Sequence, residues 1–595
     1  MASQMPLYGW FGRAVEIDVE NRKFEYYEVD EDVLLKYLGG RGYGAYYLYH
    51  NMRRGIDPFD PENIIVLASG PLTNTPVPTS GRFSASTKSP LTGGLIDSNC
   101  GGHFAPFFKG SRIDFAIIKG MAETPTYLLI DEAKVEFRDA SQLWGKDVHE
   151  TYVALKNKHG RCGVSCIGPA GENLVRFASV IVDGHRAHGR GGLGAVFGSK
   201  KIKAVVAIGN TRPAVKDQHK TLIIVKDMLK LIDANPITGK ALSLLGTLST
   251  FNIMYRYGVL STRNFKDPLV EGFEELSAEK YHKLYFHRKF ACHNCPVGCG
   301  RVSKIDGRIM MGPEFESQFA IGFNLGIYDY RDIVEIHNLC NQLGLDTISM
   351  GVTLSCAIEL SQEGLIKESL RWGDPQLVKR LIYETSQRAG FGELLAEGSL
   401  KLAKSVGHEE YAMQVKGMEL PAYDPRASQG MGLAYATSNR GACHLRAYLI
   451  GVEILGIPKR VDRTLSAFKA GLCVIQQNLY AAVDSLILCR FIGYATHEEH
   501  YSRVLEAVTG RSFSSEDIME IGERIYNVER LFNVREGIDG RYDTLPKRML
   551  EEPISGGPSQ GYITKLYDML QEYYELRGWD SNGVPRREKI EELKI

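Results

Sequence analysis

The chain has 595 residues, with 71 Lys+Arg against 71 Asp+Glu, 44% hydrophobic and 24% charged residues. That balance excludes a general nucleic-acid or anionic-membrane surface, and no apolar run approaches the length of a membrane span. Eleven cysteines are too few, and odd in number, for a disulfide scaffold. Free thiols fit a reducing cytosol, so a cytoplasmic location is expected. The opening MASQMPLYGWFGR has no apolar stretch behind a basic start and does not read as a signal peptide.

In chain order, residues 1–212 read as strand-rich. Ala14 to Val19 and Lys23 to Val29 alternate about the turn Asn21-Arg22, as a hairpin should. Further strands are expected at Ile64 to Ala68, Phe115 to Lys119, Tyr127 to Ile130 paired with Lys134 to Arg138, Gly163 to Ile167, and Lys203 to Ile208. Glycine-dense turns separate them: YLGGRGYGA, SGPLTNTPVPTSGR, SPLTGG, NCGGHF and DGHRAHGRGGLGAVFGSK. Such clusters let backbone approach a large ligand. Beyond Pro213 helical periods dominate, at Leu222 to Ile232, Ile333 to Leu343, Val378 to Thr385 and Ile518 to Phe532. An irregular segment from Leu420 to His444 interrupts them. Three domains are expected: a β-rich base at 1–212, then helical domains at 213–420 and 421–595.

The chemistry-bearing motif is Cys292-x-x-Cys295-x-x-x-Cys299. Three thiolates so spaced hold one face of an iron–sulfur cluster or three corners of a zinc site, and eight other cysteines could supply a fourth ligand. The segment from Asp183 to Lys201 lacks dinucleotide-fold spacing, because GRGGLG is G-x-G-G-x-G with no acidic residue at the expected distance. With Arg186 and Arg190 it better suits phosphate. Arg82, Asn99, Gly101 and Gly102 look like further pieces of that floor. Glu314 and Glu316 lie two apart, so on a helix at most one would face a given site. A lone His444 does not stand out from the other fourteen histidines on composition.

In order along the chain, YGWFGR, YLGGRGYGA, ASGPLT, TSGRF, SPLTGG, IGPAGENLVRFAS, DGHRAHGRGGLGAVFGSK, CHNCPVGCGR, GPEFES, LGLDTIS, ELPAYDPR, YATSNRGACH, ERLFN and DTLPKRMLEEP together closely resemble the tungsten-containing aldehyde ferredoxin oxidoreductase family. The resemblance runs from about Tyr8 to about Arg577. It implies an α+β fold: a β-rich N-terminal saddle carrying a tungsten-bis(molybdopterin) cofactor, followed by two mainly α-helical domains. It further implies a magnesium ion between the pterin phosphates and a neighbouring [4Fe–4S] cluster.

Residue by residue, the resemblance makes Cys292, Cys295 and Cys299 cluster ligands, with Cys489 as the fourth. Arg82 would lie between pterin and cluster. Asn99 and Ala187 match the magnesium contacts. Cys100, Gly101, Arg186, Gly189, Arg190, Leu345, Asp346, Arg446, Asp484 and Leu488 match pterin or phosphate contacts. Glu316, Tyr423 and His444 match the substrate cavity, with Glu316 as general base, His444 as hydrogen-bond donor and Tyr423 orienting the substrate.

Four positions depart from the family pattern, the first being Arg446, which stands where the family commonly has Lys and keeps the charge but not the geometry. Asn341 stands where the D-x-x-G-L-D motif has its first Asp; an amide still hydrogen-bonds a pterin edge but also donates and carries no charge. Ile487 stands where the family has Gly. Asn338 replaces the His of an E-x-x-H that holds an intersubunit metal in some members, so that metal is not expected. The implied reaction is oxidation of a small aldehyde with water to a carboxylic acid. Electrons would pass to ferredoxin or an iron–sulfur subunit, and a homodimer is possible. The rival on the same scaffold is a tungsten-dependent acyl-CoA or aromatic reductase subunit; those relatives are expected to carry a Cys by the metal, which GPEFES lacks.

Overall fold

The computed structural model describes residues 7–132 and 134–595; the first six residues, on which part of the signal-peptide reading falls, lie outside them. Two six-stranded sheets form the first third of the chain. The first has the order β2-β1-β6-β3-β4-β5, built from β1 (Arg13–Asp18), β2 (Lys23–Glu28), β3 (Ile65–Ala68), β4 (Phe83–Lys88), β5 (Leu95–Cys100) and β6 (Phe115–Lys119). The second has the order β11-β10-β9-β12-β7-β8, from β7 (Thr126–Ile130), β8 (Val135–Asp139), β9 (Gly163–Ile167), β10 (Val180–Val182), β11 (Arg186–His188) and β12 (Ile202–Ala207). The expected first hairpin is present, with Asp18 opposite Lys23 and Arg22 in a left-handed turn at φ 52°. The pairs β1/β6 and β7/β12 are parallel. The sheets share a core in which Ile17, Ile65, Leu67 and Ile118 meet Leu128, Ile167 and Val205.

Strands β4 and β5 escape a pattern-based reading. FSASTK and LIDSNC are buried along almost their whole length yet carry mostly small polar side chains. Period-two hydrophobicity marks strands that face a core; these two carry Asp97 and Asn99 within β5 and Arg82 just before β4 instead.

Helices follow, as expected from composition, over Gln218–Ala234, Tyr330–Leu343, Pro375–Gln387 and Ser515–Arg535 among others. Two features depart from the sequence reading. A three-stranded sheet β13-β14-β15 (Phe286–Phe290, Gly300–Ile305, Arg308–Met311) stands among the helices, and the 291–299 loop joins its first two strands. The segment read as irregular contains a helix, Gln429–Thr437, buried on every side. Uniform burial removes the amphipathic period that would have marked it.

The helices close over the sheets. One core joins Leu34, Tyr43, Leu48 and Phe115 to Tyr501, Leu505, Ile521, Ile525 and Phe532. A buried bidentate pair, Arg41 to Glu529 at 2.6 and 2.8 Å, ties segments 488 residues apart. No described helix is long and apolar enough to cross a membrane.

Candidate active site

A cavity of about 380 Å³ lies where the sheets meet the helices. Among its lining residues are Arg82, Gly101, Arg186, Ala187, Gly189, Cys292, Cys295, Cys299, Glu314, Glu316, Asn341, Leu345, Asp346, Tyr423, His444 and Cys489. Residues from every third of the chain thus reach one space.

The cysteines come from two turns. Cys292, Cys295 and Cys299 lie on the β13–β14 loop, and Cys489 follows the Lys469–Ser485 helix. The Cys489 N–H donates to Thr79 O at 3.0 Å, which fixes that turn against the β-rich base. All four are half-buried and free. Among the described residues no three His, Cys, Asp or Glu side chains converge closely enough to hold a single ion, and all four thiols border the cavity. Gly101 makes the close approach possible: a Cβ there would stand 2.6 Å from Cys292 Sγ. Two half-buried arginines flank the thiols. Arg82 Nη1 is 3.9 Å from Cys489 Sγ, and Arg186 pairs with Glu314 at 2.6 Å.

The turn into Cys489 is strained. Ile487 is fully buried with φ 64°, a left-handed conformation that costs a β-branched residue on the order of 1–3 kcal/mol. The backbone conformation natural to glycine is therefore kept although the glycine is not. The side chain fills space against Gly40 and Gly70.

Glu314 and Glu316 both face the cavity, against the expectation that only one could. Glu314 is the N-cap of the Phe315–Ile321 helix, with extended backbone at φ −81° and ψ 162°, so helical divergence does not apply to the pair. Burial opposes ionisation of Glu314, but the Arg186 guanidinium and the Thr247 hydroxyl hold its carboxyl below the usual range. Glu316 lacks such a partner. Its Oε2 accepts from the Ala422 N–H at 2.9 Å, and burial pushes it up to about 8. His444 Nε2 stands 3.6 Å from Glu316 Oε1. Burial, then Arg490, drives that imidazole well below its ordinary value, so it is neutral. Tyr423 Oη shares a 2.6 Å hydrogen bond with Tyr448 Oη, and the Tyr423 ring lies 6.0 Å from the His444 ring.

The run Asn341-Gln-Leu-Gly-Leu-Asp346 is a helix stop followed by a helix start. Gly344, at φ 77°, ends Tyr330–Leu343 by donating to Asn341 O and Cys340 O. Asp346 caps Thr347–Gln362, accepting from Ile348 N and Ser349 N. Arg190 then ties the start of that helix to two other segments, with Nε on Asp346 at 3.3 Å, Nη1 on Ala442 O at 2.7 Å and Nη2 on Glu419 O at 2.6 Å.

Six expected residues lie behind the wall: Asn99, Cys100, Arg190, Arg446, Asp484 and Leu488 are not among its lining residues. Asn99 O accepts from Arg82 Nη2 at 2.6 Å, and the Asn99 side chain bonds Arg82 Nε. Arg446 bonds Asp97 and reaches Asp484 at 3.1 Å. There the sequence reading missed a charge network. Asp97 lies between Arg41, Arg440 and Arg446, which hold it below the usual carboxylate range against burial, and Arg41 also meets Asp484 at 3.4 Å. A charged residue between glycines, as in GGRGYG, was the available signal for Arg41. Asn338 is engaged internally, donating to Met311 O at 2.8 Å and Val334 O at 2.7 Å.

Buried polar atoms without a partner gather round the cavity: Arg186 Nε and Nη2, Glu316 Oε1, His337 Nδ1, His444 Nδ1 and Arg490 Nη2 all lack one among the described residues, as do Arg440 Nε, Arg446 Nε and Asp97 Oδ2 behind it. Orphaned donors and acceptors cost about 1–3 kcal/mol each, and their concentration in one place fits a large polar ligand.

The chain belongs to the aldehyde ferredoxin oxidoreductase family. The family's N-terminal domain matches residues 14–209, and its domains 2 and 3 match residues 223–595. The chain is 43% identical over 602 residues to the tungsten-containing aldehyde ferredoxin oxidoreductase of Pyrococcus furiosus, covering 99% of both. It is 42% identical over 601 residues to that of Thermococcus kodakarensis, again covering 99% of both. More distantly, it is 29% identical to the WOR-like subunit of an aliphatic sulfonate oxidoreductase of Pyrococcus furiosus, covering 99% of this chain and 97% of that one. The fold is shared with a solved structure, the active site complex BamBC of benzoyl coenzyme A reductase with 1,5-dienoyl-CoA: TM-score 0.87 at 23% identity, over 99% of this chain and 97% of that one.

Proposed function

We propose that the protein is a tungsten–pterin oxidoreductase that converts aldehydes and water to carboxylic acids. The balance is RCHO + H2O → RCOOH + 2H+ + 2e−. The carrying observation is that Glu316, neutral His444 and the four cysteines border one cavity. The metal–pterin group, when bound, supplies Lewis acidity and two-electron acceptance. A [4Fe–4S] cluster on Cys292, Cys295, Cys299 and Cys489 suits one-electron steps onward to a ferredoxin or a ferredoxin-like subunit. Arg82, Gly101, Arg186, Gly189, Asn341, Leu345 and Asp346 would line the pterins, with Asp484, Arg446, Arg190, Cys100 and Leu488 behind them. Backbone oxygens of Asn99 and Ala187 would take the magnesium. The protein would act in a reducing cytosol, as a homodimer or with an iron–sulfur partner.

The chain's own groups divide the proton work. Glu316 carries the free Oε1 and, once ionised, accepts the proton of the attacking water or hydrate. Burial and Arg490 favour the neutral imidazole of His444, which donates one hydrogen bond to the substrate oxygen as charge develops there. Tyr423, held by Tyr448, walls and orients the substrate. Glu316→Gln keeps the shape and the Ala422 hydrogen bond but removes the base. Its aldehyde-dependent viologen reduction is expected to fall by roughly 10² to 10⁴ in kcat at unchanged metal content. Near-normal turnover would remove Glu316 from this role.

A further inference from the structure

His337 was not assigned any role from the sequence, yet it is 7% exposed and lines the cavity beside Asn341. Both sit on the Tyr330–Leu343 helix, four residues apart and so on one face. His337 Nε2 lies 3.1 Å from Asn341 Nδ2. The opposite ring nitrogen, Nδ1, is buried with no partner among the described residues. Burial pushes the imidazole down to about 4, so the ring is neutral and carries one proton.

These facts fix what the two side chains offer. With the amide nitrogen donating to Nε2, the ring proton is on Nδ1, and the pair shows the cavity a donor at His337 and an acceptor at Asn341 Oδ1. With the amide turned over, the order reverses: an acceptor at His337 and a donor at Asn341. Either way one donor and one acceptor stand side by side. Neighbouring carboxylates cannot take over that task, because Asp346 is engaged by its helix N-terminus and Arg190, and Glu314 by Arg186 and Thr247.

We propose that His337 and Asn341 act as one positioning pair that reads the hydrogen-bonding edge of a pterin ring. The proposal rests on the reading of the cavity as a pterin site. A fused heterocycle with adjacent ring N–H and carbonyl groups complements such a pair, and a neutral pair does so without placing a further charge beside Glu314 and Asp346.

The test compares His337→Phe and His337→Gln with the wild-type chain, matured in the same host. Gln restores an amide that can bond Asn341 and still present a donor or acceptor to the cavity; Phe fills the space without either. Pterin per chain after dialysis and the tungsten EPR signal are read, with iron per chain as the folding control. His337→Phe is expected to retain ~10-fold less pterin, the worth of one unmade neutral hydrogen bond, and to shift the EPR signal of what remains. His337→Gln is expected within about twofold of wild type on the same reasoning. Wild-type pterin content and an unaltered signal in His337→Phe would overturn the pair. So would a His337→Gln chain with full iron and as little pterin as the Phe variant, which decides the matter even where His337→Phe loses iron through misfolding. Wild-type chain holding iron but no pterin would overturn both the pair and the reading beneath it.

Discussion

Glu316 is the residue whose environment matters most. Its neighbour Glu314 differs by two positions and is held ionised, while burial leaves Glu316 protonated up to about pH 8. Two carboxyls with opposed settings within one short segment are the mark of divided roles. Because the base form is the ionised one, kcat/KM should rise with pH and level off above about 8. A pH profile of aldehyde oxidation checks this, and Glu316→Gln should lose the limb. The sign for stability is opposite. A raised carboxyl stabilises the folded chain most below the unfolded value near 4.5, and that contribution is lost as pH climbs through about 8. The enzyme is expected to be more active, and at this residue less stable, in mild alkali.

Among the elements, the loops that carry the thiols are set by contacts that leave no room for side chains. Gly101 precedes the helix at Phe104–Gly110, and its Cα faces Cys292. Gly101→Ala would put a methyl 2.6 Å from that sulfur, inside van der Waals contact with a group fixed by its own turn. Iron per chain is expected to fall while far-UV circular dichroism is unchanged; full iron content would show that the loop can yield. The same elements explain what could be read in advance. The cysteine run could be singled out in advance because three thiols so closely spaced are rare in an ordinary core, and the structure brings them to the same cavity as Cys489. The helical period from Ile333 to Leu343 was legible and is borne out by the Tyr330–Leu343 helix. Strands β4 and β5 were not, because buried Ser, Thr and Asp look like loop residues in sequence. Nor were both glutamates, because the pattern assumed a helix one residue before it begins.

In the whole molecule, buried ion pairs join distant parts. Asp543 accepts two hydrogen bonds from Arg530, at 3.0 and 2.8 Å, and pairs with Lys416 at 2.7 Å, all with negligible exposure. Burial opposes its charge, but the two cations win and hold it at about 2. That stabilisation is present above the unfolded value of 3.8 and is lost as pH falls toward 2. Asp543→Asn strands both cations, which should cost about 3–5 kcal/mol and lower Tm in a scan near neutral pH; an unchanged Tm would mean that the cations find water. The order of β-rich base and helical cover was readable from periodicity, while the α+β class came with the family resemblance. The pairing of Arg41 with Glu529 was not, since nothing local links residues so far apart.

That last contact has a temporal meaning. Ribosomes add about 5–20 residues per second, so the 488 residues between Arg41 and Glu529 take on the order of 25 to 100 seconds to emerge. Throughout that interval Arg41 has Asp97 nearby but no Glu529 to meet, and the apolar face that packs on Ile521, Ile525 and Phe532 stays uncovered. That face is covered only once the Ser515–Arg535 helix has been made.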